Sequence, residues 1–227
     1  MKTFSAPSTM TGLAWLHGWG LAADSLAGLA ATFPGRPSVL LEAGYFGKPD
    51  LGLPDNPDGW IGIGHSLGFA ALASLRQDWR GLIGLNAFAW FCRSADRPAG
   101  TDPAIVRAML ERLADDPADV LRRFRRRCGF APGPIPALDG PGLERLTADL
   151  GLLLDLDIRP ALDRLACPML VLAADDDRIV GLKLTEHGFA GREAVTLARF
   201  ADGGHALPAT RSADCVAAVK EFLRARA

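Results

Sequence analysis

Residues 61–69 read Ile-Gly-Ile-Gly-His-Ser-Leu-Gly-Phe, and the rest of the chain can be arranged around them. An apolar run typical of a buried strand ends in the pattern G-x-S-x-G, formed by Gly64, Ser66 and Gly68, and a helix-like apolar segment follows through Leu75. In such an elbow the flanking positions need glycine, because a Cβ atom there would collide with the turning backbone. The turn exposes the central hydroxyl beside the unpaired N–H groups of a helix N-terminus. The motif therefore predicts a nucleophilic serine.

The composition is that of an ordinary globular protein. Of 227 residues, 49% are hydrophobic and 22% charged, and the formal net charge is -1. These values predict one domain with a large core, and they favour neither nucleic acid nor a membrane as a partner. Residues 1–16 lack the continuous apolar run of a signal peptide, so we expect a cytoplasmic protein. We also expect a monomer without metal or cofactor.

The cysteines give no sign of a special chemistry. Cys92, Cys128, Cys167 and Cys215 are far apart in the sequence and form no C-x-x-C pair. They lie among apolar or helix-like neighbours, which indicates reduced, partly buried thiols.

Short apolar segments alternate with helix-like ones on both sides of the elbow. Further strands are predicted at residues 13–16, 38–41, 81–87, 168–174 and 194–200, and further helices at 22–33, 183–190 and 211–224. This alternation favours an α/β fold with a mostly parallel sheet and helices on both faces. We assign residues 1–92 and 165–227 to this core, whose functional residues should follow the carboxyl ends of strands.

Residues 93–164 interrupt the alternation and contain no convincing strand. Helices are predicted at 103–115 after the capping residue Asp102, at 117–128 after Asp116, and at 143–154. Residues 131–137, Ala-Pro-Gly-Pro-Ile-Pro-Ala, cannot be helical and predict a stiff connection. The segment is interpreted as a helical lid inserted into the core.

A base and an acid for the serine follow two later strands. Residues 175–177 are three aspartates after the strand at 168–174, and His205 comes shortly after the strand at 194–200. A serine needs a base to take its proton and a third group to orient that base, and the order Ser, Asp, His is that of α/β-hydrolases. We predict His205 as the base and Asp177 as the acid, with Asp175 as the main rival. The alternatives are a solvated acidic turn and a loop-capping histidine.

The other histidines are assigned no catalytic role. His65 is interpreted as structural because successive residues of the elbow point in different directions, and His187 as a surface residue of a helix. His17 is expected to shape the glycine turn that follows the first strand. In that turn, the N–H of Trp19 together with the N–H of Leu67 would form the oxyanion hole.

The second predicted lid helix is rich in arginine. Its apolar residues form one stripe, and the rest of the surface carries Arg122, Arg123, Arg125, Arg126 and Arg127. About five positive charges would attract an acidic partner. The alternative is a solvated helix face whose charge is partly neutralised by nearby aspartates, namely Asp115, Asp116 and Asp119.

Several motifs together resemble one family. They are residues 15–21 with the core His-Gly-Trp-Gly, 64–68, 91–94, 177–180 and 204–208, and the arginine-rich lid lies between them. In this combination the chain resembles the pimeloyl-[acyl carrier protein] methyl ester carboxylesterases of biotin synthesis, a family of α/β-hydrolases. The motifs at residues 64–68, 177–180 and 204–208 alone would fit many α/β-hydrolases, whereas the lid and His-Gly-Trp-Gly are more specific.

The resemblance implies a function and a set of site residues. The enzymes of this family hydrolyse the methyl ester at the far end of a pimeloyl chain carried on acyl carrier protein. It implies a triad of Ser66, Asp177 and His205, with the oxyanion held by Trp19 and Leu67. It also implies that Trp19 and Phe124 contact the acyl chain, and that acyl carrier protein docks on lid arginines, here Arg122, Arg123, Arg126 and Arg127.

The chain departs from the family pattern in three places. Phe69 replaces the second glycine usual after the elbow, residues 42–57 replace a helix by a loop, and Gly181 stands where proline is common. These departures concern the substrate more than the reaction. The alternatives are a general short-chain carboxylesterase or an acyl thioesterase on the same triad, and a binding module of this fold without turnover.

Overall fold

The structure is a computed structural model that describes residues 10–225. Its strands and helices, in chain order, are β1 (Gly12–Leu16), α1 (Asp24–Ala30), β2 (Ser38–Leu41), β3 (Trp60–His65), α2 (Leu67–Leu75), β4 (Gly81–Leu85), α3 (Pro103–Asp115), α4 (Pro117–Cys128), α5 (Gly140–Leu152), α6 (Arg159–Arg164), β5 (Met169–Ala174), α7 (Leu182–Phe189), β6 (Val195–Phe200), α8 (Leu207–Thr210) and α9 (Ser212–Arg224).

The strands form one sheet in the order β2-β1-β3-β4-β5-β6, and every described pair is parallel. The predicted α/β fold with a parallel sheet is therefore confirmed. Strand β4 ends at Leu85, two residues earlier than predicted, because Asn86 leaves the strand with a φ of 49°. The carboxyl ends of β1, β3, β4 and β5 share one edge of the sheet, and this brings their following loops together.

Strand β3 shows why this sequence forms the centre of the sheet. Ile61 and Ile63 pack in the core on the side of α1 and α9. Gly62, between them, faces α2, and a Cβ there would lie 2.7 Å from Cδ2 of Leu82 on β4 and 3.3 Å from Cδ1 of Leu72 on α2. The alternation thus fills one face with branched side chains and leaves room on the other for a closely packed helix.

Helices α3 to α6 lie between β4 and β5 in the sequence. Asp102 and Asp116 cap α3 and α4 as predicted, since each side chain accepts a hydrogen bond of 2.9 Å from a first-turn N–H. Helix α5 begins at Gly140, earlier than predicted, because Asp139 accepts from the Gly142 N–H at 2.7 Å. The sequence predicts three helices in this segment, but the structure contains a fourth, α6. The division into core and lid at residues 93 and 164 stays a prediction.

The inserted helices share a core with the sheet. Val106 of α3, Leu121 of α4 and Leu146 of α5 belong to the same buried cluster as Phe69 and Leu72 of α2. Residues 42–59 contain no helix, as the sequence predicts.

The cysteines and the helix lengths can also be compared with the sequence. The four cysteines are free and buried. Between residues 10 and 225, every helix is too short or too polar to cross a lipid bilayer.

Candidate active site

Ser66 occupies a strained turn between β3 and α2. Its φ is 55° and its ψ is −121°, a conformation that side chains rarely adopt. A Cβ on Gly64 would lie 2.3 Å from the Phe69 nitrogen, and one on Gly68 would lie 2.3 Å from the Leu16 carbonyl oxygen. Only glycine fits at these two positions, so the strand, turn and helix have the predicted elbow geometry.

Asp177 and His205 form a buried hydrogen-bonded pair. His205 Nδ1 donates to Asp177 Oδ2 at 2.7 Å, and both side chains are almost completely shielded from solvent. The other carboxylate oxygen accepts from the N–H groups of Ile179 and Val180 at 2.7 and 2.9 Å. These bonds fix the carboxylate, and in the neutral imidazole the bond to Asp177 favours the tautomer with its proton on Nδ1 and its lone pair on Nε2.

The neighbouring aspartates have other partners. Asp175 is exposed and forms an ion pair of 3.0 Å with Arg199. Asp176 accepts from the Gly204 N–H at 2.8 Å and so holds the loop that carries the histidine. The structure therefore brings Asp177, and not the rival Asp175, to His205.

Two buried polar side chains fasten the His205 loop to the sheet. His65 Nε2 donates to the His205 carbonyl at 2.8 Å, and the two rings lie 4.8 Å apart. Asn86 donates to the Gly204 carbonyl at 2.8 Å and accepts from the Ala174 N–H at 3.1 Å. Sequence reasoning missed Asn86, whose only signal was a polar residue at the end of an apolar strand.

His65, the chain neighbour of Ser66, connects the elbow to the loop of His205. Within residues 10–225, no hydrogen bond joins Ser66 Oγ to His205 Nε2. Catalytic bonds of this type commonly tighten only when a substrate is bound.

His65 is structural, as predicted, and its burial has a measurable consequence. Burial, reinforced by the nearby His205 ring, lowers the pKa of His65 from 6.5 to about 3. The unfolded chain therefore binds a proton at this position below about pH 6.5, and the folded chain does not until about pH 3. The contribution of His65 to stability is lost as the pH falls through this window.

We expect His65→Gln to flatten the dependence of stability on pH. Between pH 6.5 and pH 4 the wild type should lose about 1 kcal/mol of unfolding free energy per pH unit more than the variant, since this is the linkage slope of one proton. Urea unfolding of both proteins at several pH values measures how the free energy of unfolding depends on pH. His187 is exposed on α7 as predicted, so His187→Gln is the matched control and should keep the wild-type slope. Equal slopes for His65→Gln and the wild type would contradict this assignment.

The turn at residues 18–21 follows β1 and lies against the elbow. The Leu21 N–H donates to the Gly18 carbonyl at 3.3 Å, and a Cβ on Gly18 would lie only 3.1 Å from Cβ of Ser66. The N–H of Leu67 begins α2 and has no acceptor within the helix. Among the described hydrogen bonds, the Trp19 N–H has no acceptor either. Two free donors thus lie near the serine.

His17 and Glu42 support the entrance of this turn. His17 Nδ1 lies 2.9 Å from the Gly18 carbonyl oxygen, and its Nε2 lies 3.0 Å from Oε1 of Glu42 and 3.1 Å from the Ala43 nitrogen. Burial alone would raise the pKa of Glu42, but hydrogen bonds from His17, Gly44 and Ala23 lower it to about 2. His17 therefore shapes the turn, as predicted.

A cavity of about 630 Å³ opens above Ser66. Trp19, Ser66 and Leu67 line it, and the inserted helices form most of its wall. The wall is mainly apolar, and its apolar side chains include Phe88, Phe91, Ile105, Val106, Met109, Val120, Phe124, Leu150, Leu153 and Ile179. Four arginines also line it, namely Arg112, Arg123, Arg127 and Arg178. Trp19 and Phe124, both predicted to contact substrate, line it with their rings 4.9 Å apart. The site can therefore receive an extended apolar chain.

Comparison with known proteins agrees with this geometry. A pimeloyl-[acyl-carrier protein] methyl ester esterase from Aromatoleum aromaticum is 29% identical over 93% of this chain and 98% of the relative, which confirms the resemblance that the motifs predict. An esterase from Exiguobacterium antarcticum has a TM-score of 0.79 at 15% identity, and a bromoperoxidase from Bacillus anthracis has 0.75 at 18%; each match covers 96% of this chain and 93% of the other. The chain has the α/β-hydrolase fold. No protein-family model matches it.

The arginines of α4 that were predicted to bind a carrier protein differ in their partners. Arg123 donates to Asp119 at 2.6 Å, and Arg122 lies 3.8 Å from the same carboxylate. Arg127 donates at 3.3 Å to a backbone carbonyl of the loop after β5. Arg126 is exposed, and no ion pair is described for it among residues 10–225. The positive charge of this face is therefore partly neutralised.

Proposed function

We propose that the chain is a serine carboxylesterase with Ser66 as nucleophile, His205 as general base and Asp177 as the acid that orients it. The bond of 2.7 Å between His205 and Asp177, beside the strained elbow, is the observation that carries this proposal. The similarity to an esterase over nearly the whole chain supports it.

The reaction follows from the positions of these groups. His205 Nε2 takes the proton of Ser66 as Oγ attacks the ester carbonyl, and the N–H groups of Trp19 and Leu67 donate to the resulting oxyanion. The imidazolium then returns the proton to the departing alcohol, and an acyl-enzyme remains. Water, deprotonated by the same histidine, attacks the acyl-enzyme and releases the acid.

The proposed substrate is the methyl ester of pimeloyl-acyl carrier protein in biotin synthesis. The relative from Aromatoleum aromaticum is named for this reaction, and the apolar cavity suits a methylene chain whose ester reaches Ser66. The enzyme would act as a cytoplasmic monomer, in agreement with its reduced cysteines. Restoration of biotin synthesis in a bacterial strain that lacks this esterase tests the assignment. A strain that expresses active enzyme and still needs biotin would contradict it.

The carrier protein is proposed to dock on α4 through Arg122, Arg123, Arg126 and Arg127. We expect Arg126→Glu to raise the KM for a carrier-bound methyl ester several-fold, because acyl carrier protein is acidic and a reversed charge repels it. The KM for a small soluble ester should not change. Steady-state kinetics with both substrates measure this. Arg107→Glu, on the exposed face of α3, is the control, and equal effects of Arg126→Glu on both substrates would refute docking here.

A general short-chain carboxylesterase or acyl thioesterase is the second candidate. The pairing of Arg123 and Arg112 with Asp119 favours it, since it reduces the charge available to a carrier protein. Comparison of kcat/KM for methyl pimeloyl-carrier protein, aryl esters and acyl thioesters distinguishes the two. A preference for the carrier-bound ester favours the first candidate.

A further inference from the structure

Helix α4 is hydrogen-bonded to three of the loops that carry proposed site residues. Arg125 donates to the Gly20 carbonyl, Arg127 donates to the Arg178 carbonyl, and the Ala206 N–H donates to the Cys128 carbonyl. These loops hold Trp19, Asp177 and His205. An inserted helix is thus bonded directly to the parts of the site that must be placed most accurately.

Arg125 makes two of these hydrogen bonds. Its guanidinium donates twice to the same carbonyl, through Nε at 3.2 Å and Nη2 at 3.0 Å, and it lies over the Phe46 ring at 5.3 Å. The side chain is half-buried, and within residues 10–225 it takes part in no described ion pair. Partial burial of a guanidinium without a carboxylate is unfavourable, and it is offset here by the carbonyl and the ring. The main role of Arg125 is therefore to hold a backbone carbonyl.

The carbonyl that Arg125 holds lies near the C-terminal end of the turn at residues 18–21. Gly20 has a φ of 68°, and a Cβ there would lie 2.9 Å from Cδ2 of Leu121 on α4. Glycine gives this position the positive φ it needs, but it also leaves the backbone free to move. His17 fixes the entrance of the turn from the core side. Arg125 of α4 holds the other end of the turn through the Gly20 carbonyl.

We propose that Arg125 is a positioning residue for the reaction: by holding the Gly20 carbonyl, it keeps the Trp19 N–H directed at the oxyanion. This inference rests on the proposed serine esterase function. Loss of a whole oxyanion donor lowers kcat by about 100- to 1,000-fold, and a displacement of about 1 Å can lower it by about 100-fold. Because His17 still holds one end of the turn, we expect Arg125→Met to lower kcat by about 10- to 100-fold.

The test uses a small soluble ester, so that carrier-protein docking does not contribute. Arg125→Met keeps the length and apolar stem of the side chain but removes both donors. It should lower kcat while the KM stays within about twofold, since the lost interaction acts in the transition state. The Ki of a trifluoromethyl ketone, which forms an oxyanion on Ser66, should rise by the same factor as kcat/KM falls. Arg125→Lys and added guanidinium should each restore part of the activity. Arg107→Met is the matched control and should behave as the wild type.

The outcomes separate this inference from the proposed function. If the wild type shows no ester turnover that Ser66→Ala abolishes, the proposed function fails. If the wild type is active and Arg125→Met has the same kcat and the same Ki, only the positioning role fails. A lower kcat with an unchanged Ki would also overturn it, because the loss would then lie elsewhere than in oxyanion binding. If Arg125→Met unfolds below the assay temperature, Arg125→Gln is judged by the same two measurements.

Discussion

Ser66→Ala is expected to lower kcat for ester hydrolysis by about three orders of magnitude or more, since no acyl-enzyme can form without the hydroxyl. The fold should be unaffected. Alanine has the same backbone preferences as serine at the φ of 55°, and the glycines that permit the turn remain in place. The melting temperature should therefore stay close to that of the wild type.

Two measurements make this expectation specific. Ser74→Ala, a change of the same kind on the exposed side of α2, should leave kcat unchanged. A serine-reactive phosphonate should label the wild type at Ser66 and should not label Ser66→Ala. Esterase activity that survives in Ser66→Ala would refute the proposed nucleophile. Failure to label the wild type would instead favour a binding module without turnover.

The features that the sequence predicted depend on residues close to one another in the chain. The elbow is specified within nine residues by glycines whose Cβ atoms would collide with Phe69 and Leu16. The parallel sheet follows from apolar strands that are buried on both faces, such as β3 and β5. The caps Asp102 and Asp116 were predictable because a cap acts on N–H groups two or three residues away.

The features that the sequence did not predict depend on contacts between distant segments. Asn86 bonds Gly204 across 118 positions, and Arg125 bonds Gly20 across 105. Helical periodicity places Arg125 beside the apolar stripe of α4, but it does not show which carbonyl the guanidinium reaches. The choice between Asp175 and Asp177 is of the same kind, because it depends on which carboxylate reaches His205, 28 positions away.

Asp177→Asn is expected to lower kcat by about four orders of magnitude, as removal of the negative charge does in other serine triads. The geometry gives the reason. The carboxylate oxygen that accepts from Ile179 and Val180 must stay an oxygen, so the amide nitrogen of asparagine would face His205. The amide then donates to Nδ1 and places the proton on Nε2, and the histidine can no longer take the proton of Ser66.

Asp175→Asn separates this effect from a general loss of acidic charge after β5. Its carboxylate is exposed and pairs with Arg199 at the surface, so we expect little change in stability and an unchanged kcat. Both variants replace one carboxylate by an isosteric amide, and they differ only in whether that group reaches His205. Steady-state kinetics compare kcat in the two variants, and thermal unfolding compares their stability. Similar losses of kcat in both would show that His205 depends on the charge of the loop and not on the hydrogen bond of Asp177.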